Sequence, residues 1–153
     1  MIPDGYQSLT PYRTVADGAC EVTFYEKALG AKLRLKLERP DGKLGHTEPE
    51  IGDGIIMLAD QCPGYEAFTL THSGGSPVTL LLYVEDVDTV VDRAVPPGTK
   101  PKRRVENMLY GERAGSFIDP FGHVWHVAAQ IEEVPPGEIN RRAAAAMSEG
   151  TGP

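Results

Sequence analysis

An internal repeat constrains the fold of this chain more than any other feature. Three kinds of landmark recur, namely a residue that can cap a helix, a Gly-X pair and a turn glycine, at offsets of 69, 66 and 68 residues. The pairs are Asp17 and Asp86, Gly45 and Gly111, and Gly54 and Gly122. This spacing is too long for the period of a solenoid. The repeat therefore predicts two copies of one larger module.

Each copy has the pattern of a strand, a helix and three strands. In the first copy, Asp17 is placed to cap a helix and Gly30 to end it. Leucine and charge then alternate through residues 31–39, which predicts a strand buried on one face. We therefore predict an α+β fold with two βαβββ modules related by a pseudo-twofold axis. Their mixed, curved sheets would surround a cleft, where ligand sites are favoured.

The chain is short enough to form one domain, residues 1–153. The predicted parts are module one at residues 8–61, a linker at 62–76, module two at 77–132 and a C-terminal helix at 135–148. In that helix, Ile139, Ala143 and Met147 recur at helical spacing and form one apolar stripe. This stripe either packs on the same domain or docks on a second subunit.

The end of module two carries the first functional hint. Two extended runs, residues 110–118 and 123–131, flank the turn sequence Asp119-Pro120-Phe121-Gly122. The second run is apolar, yet it contains His123 and His126, and Glu112 lies on the strand predicted to pair with it. Ionisable groups on buried strands cost free energy unless they are satisfied. His123 follows the turn and is interpreted as a turn-stabilising residue.

Charge and composition exclude several classes of partner. The net charge is −7 and the pI is near 5.1, whereas a nucleic-acid-binding protein shows a basic surface. The apolar runs are too short to cross a membrane, and the start of the chain lacks a signal-peptide pattern. Cys20 and Cys62 are interpreted as free thiols, with a single bridge as the alternative. We expect a cytoplasmic protein.

Four ordered stretches, FYEKALGA, GHTEPEIGDGIIMLAD, VEDVD and GERAGSFIDPFGHVWHVA, carry a resemblance to a known family. Residues 8–131 resemble the vicinal oxygen chelate superfamily, which includes glyoxalases, bleomycin resistance proteins and extradiol dioxygenases, and look most similar to its PhnB-like branch. The resemblance implies the paired-module fold and a homodimer. It does not imply one reaction, because the fold supports many chemistries and also non-catalytic binding.

The resemblance also points to four positions on the first and last strands of each module. In metal-dependent members these positions hold ligands, and here they fall at Thr10, Met57, Thr79 and His126. Threonine and methionine are poor ligands for an ion that prefers imidazole or carboxylate. Three of the four positions therefore depart from the glyoxalase I pattern.

His46, Glu112 and His126 are the candidate chemical groups. The repeat equates His46 with Glu112, so both could face one cleft with His126 and hold a divalent metal ion. Alternatively, Glu112 could act as the catalytic group in proton transfer, or all three could be satisfied structurally. Trp125 alternates away from His126 and is either core or an aromatic wall of the cleft.

The leading expectation is a protein that sequesters an apolar or aromatic small molecule, without an assured catalytic role. The ligand-binding residues would be drawn from the candidates above: His46, Glu112, His126, Thr10, Thr79, Met57 and Trp125. The alternative is a metal-dependent lyase, isomerase or dioxygenase that uses His46, Glu112 and His126. The cofactor is accordingly either none or a divalent metal ion. Neither nucleic acid nor a membrane is an expected partner.

Overall fold

The computed structural model describes residues 2–62, 64, 69–95 and 101–148. The chain divides into two compact units. Unit 1 comprises the described residues of 1–78 together with 119–123, and unit 2 comprises those of 79–118 and 124–153. Unit 1 therefore contains the predicted module one and also the short turn sequence that connects two strands of module two.

Unit 1 follows the predicted βαβββ order with one added two-residue strand. Its elements are β1 (Tyr12–Val15), α1 (Gly18–Leu29), β2 (Lys32–Glu38), β3 (Leu44–Ile51), β4 (Gly54–Ile55), β5 (Met57–Asp60) and α2 (Leu70–Ser73). The sheet has the order β1-β5-β3-β2, with β4 paired to β3. Strands β1 and β5 are parallel, and β5 to β3 and β3 to β2 are antiparallel.

Helix α1 begins and ends where the sequence predicts. Asp17 accepts a hydrogen bond from the Cys20 backbone N–H at 3.0 Å, which satisfies a donor in the first turn. Gly30 ends the helix in the left-handed conformation, with φ of 70°. The buried carboxylate of Asp60 accepts the backbone N–H groups of Gly18 and Leu44, each at 2.7 Å. It thereby ties the helix N-terminus to two strands.

The expectation that β2 is half-buried is wrong. Every residue of β2 is exposed, including Leu35 and Leu37. A register irregularity between Leu33 and Leu35 interrupts the simple alternation, and Leu35 and Leu37 then lie opposite Glu48 and His46 of β3. Because directly paired residues point to the same side of a sheet, these leucines share the side of His46.

Among the residues that the structure describes, unit 2 has the βαβββ order without an added strand. Its elements are β6 (Thr79–Tyr83), α3 (Val87–Ala94), β7 (Arg103–Asn107), β8 (Glu112–Ile118), β9 (Val124–Gln130) and α4 (Pro136–Ser148). The sheet has the order β6-β9-β8-β7, with β6 and β9 parallel. Asp86 caps α3 by accepting the Thr89 backbone N–H at 3.0 Å.

Trp125 lies in the core of unit 2 and does not line a ligand surface there. Its side chain is 2% exposed and stacks on Phe117, with ring centroids 6.5 Å apart and planes 9° apart. Strand alternation places it on the opposite side of β9 from His126. The expectation that Trp125 contributes to the cleft is therefore corrected, and its alternative interpretation as a core residue is confirmed.

The turn at Asp119 has the predicted geometry. Gly122 adopts a φ of +94°, which favours glycine, and its N–H donates to the Asp119 carbonyl at 3.0 Å. One Asp119 carboxylate oxygen accepts the backbone N–H groups of Phe121 and His123. The backbone of His123 therefore takes part in the turn. Its imidazole contacts α1, because it lies 3.4 Å from the Glu21 carboxylate.

Other boundaries differ modestly from the sequence predictions. Strand β1 starts at Tyr12, within the predicted module one of residues 8–61, and the predicted linker contains the short helix α2. The Pro-Pro-Gly sequence at residues 96–98, which favours the end of a helix, lies outside the described residues, as does the end of the chain at 149–153. In the part of the chain that the structure describes, no helix is long and apolar enough to cross a membrane.

The fold class is confirmed as α+β, with a five-stranded and a four-stranded mixed sheet. Both units contain the predicted βαβββ order. The landmark pair Gly45 and Gly111 is not equivalent, however. Gly45 lies within β3 without a positive φ, whereas Gly111 has a φ of +88° and precedes β8.

Candidate functional site

A chain of hydrogen bonds crosses one side of the unit 1 sheet. The Tyr6 hydroxyl donates to Glu48 Oε2 at 2.6 Å. Glu48 Oε1 lies 2.9 Å from His46 Nε2, and His46 Nδ1 lies 3.2 Å from the Tyr12 hydroxyl. The ring centroids of Tyr12 and His46 are 5.5 Å apart with an interplanar angle of 27°. We call this side of the sheet, with Leu35 and Leu37, the His46 face.

The β-strand period places the central pair. His46 and Glu48 are two residues apart on β3, so both side chains point to the same side. Tyr12 comes from β1, which is separated from β3 by β5. The pairing of Thr47 with Leu58 puts His46 beside Ala59, a residue of β5 with a small side chain.

The electrostatic balance at Glu48 favours its ionised form. Burial acts to raise the pKa of this carboxyl, which is 4% exposed, but hydrogen bonds from His46 and Tyr6 and the nearby positive charges outweigh burial. The net result is a Glu48 pKa below its ordinary value. The same hydrogen bond raises the pKa of Tyr6, because the carboxylate favours the protonated phenol.

Arg34 holds the N-terminal segment beside this cluster. Its guanidinium lies 5.0 Å from the centre of the Tyr6 ring and donates to the Gly5 carbonyl at 3.0 Å. Arg34 also lies 3.7 Å from Glu50. These contacts position Tyr6 so that its hydroxyl donates a hydrogen bond to the second carboxylate oxygen of Glu48.

Unit 2 carries a simpler pair. The Tyr83 hydroxyl donates to Glu112 Oε1 at 2.7 Å. This bond to the carboxylate raises the pKa of Tyr83. Glu112 pairs with Gln130 on β9, whereas His126 pairs with Ser116, so Glu112 and His126 are four positions apart along the strand. At about 3.3 Å per residue their backbones are roughly 13 Å apart, and the structure does not bring the two side chains together.

The strand registers also correct the predicted match between His46 and Glu112. Both units pair their first and last strands in the same way, with Tyr12 opposite Met57 and Leu81 opposite His126. The last strand of each unit pairs in turn with an antiparallel neighbour, β5 with β3 and β9 with β8. These registers make His46 equivalent to Ala114 and Glu48 equivalent to Ser116. Glu112 is therefore two residues away from the position that corresponds to His46, although it keeps the same side of its sheet.

The remaining family-derived positions have different surroundings. Thr10 precedes β1, and its hydroxyl donates to the Gln7 carbonyl at 3.2 Å. Met57 begins β5 and is half-buried, and Thr79 begins β6 and is exposed. Among the residues that the structure describes, no group of three or more His, Cys, Asp or Glu side chains is placed to hold a metal ion.

A second polar cluster is buried beneath α1. The Arg13 guanidinium donates to the Tyr25 hydroxyl at 2.6 Å and to Glu21 at 3.1 Å, and the Tyr25 hydroxyl also lies 2.8 Å from Asp119. Burial raises the pKa of Tyr25, opposed by Arg13 and reinforced by Glu21 and Asp119. Glu21 and His123 line an adjacent cavity of about 210 Å³. Arg13 Nε and Nη1 are buried with no hydrogen-bond partner among the described residues.

His46 was recognisable as a candidate from the sequence, whereas Tyr6 and Tyr12 were not. The alternation of His46 with Glu48 was visible in the sequence, but it did not show that the two side chains bond each other. Tyr12 was hidden because its partner lies 34 residues away and two strands across the sheet. No local pattern reports such a contact.

The family assignment follows from the match to a family model. The model of the glyoxalase/bleomycin resistance protein/dioxygenase superfamily matches residues 12–127. The chain belongs to this superfamily. Among curated relatives, the uncharacterized protein Mb0911c of Mycobacterium bovis is 38% identical over 148 residues, covering 95% of each chain. Rv0887c of Mycobacterium tuberculosis is also 38% identical, over 95% of this chain and 85% of its own length.

Several solved structures share the fold at low sequence identity. TioX from Micromonospora sp. ML1 has a TM-score of 0.63 and 22% identity, covering 81% of this chain and 98% of its own. The PhnB protein from Bacillus cereus has a TM-score of 0.60 and 17% identity, with coverages of 80% and 99%. The fosfomycin resistance protein FosX from Listeria monocytogenes, solved with Mn(II) and sulfate, has a TM-score of 0.60 and 16% identity, with coverages of 90% and 98%.

Proposed function

We propose that this superfamily member binds a small molecule on the His46 face of unit 1. The observation that carries the proposal is the combination of exposed apolar side chains with a fixed polar cluster. Tyr12, Leu35 and Leu37 are 56%, 39% and 52% exposed. The two leucines lie directly opposite Glu48 and His46. Ligand sites typically combine apolar surface with a few precisely placed polar groups.

The proposed ligand is a flat apolar or aromatic molecule with one hydrogen-bonding group. The stacked rings of Tyr12 and His46 offer an aromatic surface, and Leu35 and Leu37 extend it along β2. The Tyr12 hydroxyl, which bonds to His46 Nδ1, is the proposed hydrogen-bonding partner of the ligand. Binding in this proposal is stoichiometric and independent of metal.

Several other predicted residues remain proposed ligand contacts. In unit 1, Met57 is half-buried and pairs with Tyr12 across β1 and β5, and Thr10 lies just before β1. In unit 2, Thr79 and His126 lie on the same side of the sheet, and Glu112 shares that side. Their contribution is tested by alanine substitution once a ligand is available.

The test is a thermal-shift screen of planar aromatic compounds, followed by titration calorimetry on each compound that stabilises the protein. Leu37→Asp places a charge on the His46 face, so we expect about a tenfold or greater rise in Kd, because a carboxylate against an apolar ligand loses hydration. Ile131→Asp is the matched control, since Ile131 and Leu37 are both 52% exposed. Equal effects of the two substitutions, or no stabilising compound, would contradict the proposal.

The role of metal is tested in the same assay. We expect EDTA treatment to leave the Kd unchanged, because the proposed contacts are apolar and hydrogen-bonding. Loss of binding after EDTA, restored by Mn²⁺ or Zn²⁺, would favour the alternative of a metal-dependent lyase, isomerase or dioxygenase instead.

We also propose that the protein is a homodimer. Helix α4 has no buried residue, and Met147, at one end of its apolar stripe, is 66% exposed. A second copy of the chain would cover this stripe, because an exposed apolar face on a helix favours association with another protein surface. Light scattering should report a dimer that Met147→Glu weakens and Asn140→Glu does not. A monomer in the unsubstituted protein would contradict this proposal.

A cytoplasmic location is proposed on the basis of the cysteines. Cys20 and Cys62 are both free thiols, as the sequence predicted. Free thiols persist in reducing compartments, where disulfides are rare. Fractionation of cells that express the native chain tests this location, and recovery outside the cytoplasmic fraction would contradict it.

A further inference from the structure

We propose that Glu48, His46 and Tyr12 form a proton relay that makes Tyr12 a nucleophile toward an activated ester bound on the His46 face. The inference rests on the proposed function for its location, and it adds a covalent step to binding. A nucleophile hydrogen-bonded to a base, with the base oriented by a third group, is the general signature of an activated nucleophile. Here the two links measure 3.2 Å and 2.9 Å.

The direction of the hydrogen bonds follows from the chemistry of the groups. An ionised Glu48 can only accept, so the proton between it and His46 resides on Nε2. In the neutral imidazole Nδ1 is then the acceptor, and the Tyr12 hydroxyl donates to it. The lowered pKa of Glu48 agrees with its ionised form. The base is thus held in the tautomer that removes a proton from Tyr12.

The third group of the relay is itself fixed. Glu48 is 4% exposed and its second oxygen accepts the Tyr6 hydroxyl at 2.6 Å. The carboxylate therefore has one partner on each oxygen and cannot turn away from His46 without losing both bonds. An imidazolium formed at His46 would be stabilised by this buried negative charge.

The chemical step is an acyl transfer. A lone pair of the Tyr12 oxygen attacks the ester carbonyl carbon, and the phenolic proton passes to His46 Nδ1. The bond from carbon to the leaving oxygen then breaks, and the leaving oxygen keeps the electron pair and takes the proton from His46. The products are an acyl-tyrosine and a free alcohol or phenol, so the ligand is captured covalently.

Unit 2 supplies a matched control for this chemistry. Tyr83 is 59% exposed, close to the 56% of Tyr12, so the two residues are exposed to a similar extent. The Tyr83 hydroxyl bonds directly to the carboxylate of Glu112, which raises its pKa and stabilises the protonated phenol. Tyr83 thus has a carboxylate partner without an imidazole between the two.

The experiment treats the full-length protein with p-nitrophenyl acetate and measures acetylation of each tyrosine by peptide mass spectrometry over time. General-base assistance is worth about 10²–10⁴-fold, so we expect Tyr12 to be acetylated at least about tenfold faster than Tyr83. Equal initial rates at the two tyrosines would overturn the proposal.

Variants test whether the relay is the cause. His46→Gln removes the base and should reduce Tyr12 acetylation by about tenfold or more while leaving Tyr83 unchanged. Tyr12→Phe should abolish only the modification at that position. Unchanged Tyr12 acetylation in His46→Gln would overturn the relay, even if Tyr12 were the faster site in the unsubstituted protein.

Glu48→Gln tests the orienting group. It should also slow Tyr12 acetylation, because a neutral amide stabilises the imidazolium less, and an unchanged rate would remove Glu48 from the relay. If this buried substitution unfolds the protein, as circular dichroism would show, the result for His46→Gln decides. A ligand-binding protein with no preference for Tyr12 retains the proposed function and loses only this inference, so the two failures are distinguishable.

Discussion

The two units place different chemistry on the same βαβββ framework. Aligning them on their helix caps, Asp17 and Asp86, equates three polar residues between α1 and its sheet with three apolar residues between α3 and its sheet. The equivalent pairs are Arg13 and Leu82, Glu21 and Val90, and Tyr25 and Ala94. Unit 1 therefore joins its helix to its sheet through an ionic network, and unit 2 does so through simple apolar packing.

The opposite sides of the two sheets, which carry Tyr12 and Tyr83, also differ in their chemistry. Unit 1 has a tyrosine bonded to an imidazole that is bonded to a carboxylate, whereas unit 2 has a tyrosine bonded directly to a carboxylate, Glu112. The residue that corresponds to Glu48 in unit 2 is Ser116. The fold thus tolerates polar substitutions on both sides of the sheet, provided that each buried group finds a partner.

The largest expected difference concerns the helix–sheet interface. Glu21→Ala leaves the Arg13 cation buried without its carboxylate, and removing one partner of a buried ion pair costs about 3–5 kcal/mol. Val90→Ala, at the equivalent position, removes two methyl groups and should cost about 1–2 kcal/mol. Urea denaturation followed by circular dichroism measures both free energies of unfolding. Equal costs would mean that the ionic network of unit 1 behaves like apolar packing.

The two glycines that the sequence repeat had matched should respond differently to alanine. At Gly111 the φ of +88° is unfavourable for alanine, and an added Cβ would collide with the Glu132 carbonyl oxygen. Strain and crowding together should cost about 3 kcal/mol. At Gly45 the nearest neighbour of an added Cβ is the flexible Arg39 side chain at 3.1 Å, and the Leu37 carbonyl oxygen lies at 3.6 Å, an ordinary contact, so we expect a cost below about 1 kcal/mol.

The same urea denaturation measures these two costs. A cost for Gly45→Ala as large as that for Gly111→Ala would show that the two glycines are equivalent after all. In that event the different backbone conformations of Gly45 and Gly111 would have no effect on the free energy of unfolding.

The smallest effect is the dependence of stability on pH at Glu48. Because its pKa is lower in the folded protein than the ordinary value of about 4.3, its stabilising contribution is present above that value and is lost as the pH falls through the folded pKa. The free energy of unfolding should therefore fall more steeply below about pH 4.5 in the unsubstituted protein than in Glu48→Gln. Parallel pH profiles for the two proteins, measured by urea denaturation, would contradict this.

Local signals predicted local structure well. Asp17 and Gly30 marked the ends of α1, and Gly122 marked the turn before β9. The burial of β2 was predicted wrongly, because a register irregularity turned Leu35 and Leu37 to the side of His46. Alternation indicates which residues share a side of a strand, but it does not indicate which side another element covers.

The candidate site was only partly predictable for the same reason. His46 stood out as an ionisable residue on a strand, and Glu48 shared its side by parity. Tyr12 could not be connected with them, because that contact depends on the strand order β1-β5-β3. The predicted equivalence of His46 and Glu112 failed because a sequence offset does not report the register of paired strands.

The sequence by itself determined the duplicated βαβββ order, the two ends of α1 and the family, because caps, turns and periodicity act over a few residues and repeat along the chain. The tertiary structure alone decided that Trp125 is core, that Glu112 and His126 lie apart, and that Tyr12 meets His46. These outcomes depend on strand order and register, which bring together residues that are distant in the chain, and short-range patterns carry little information about such pairings.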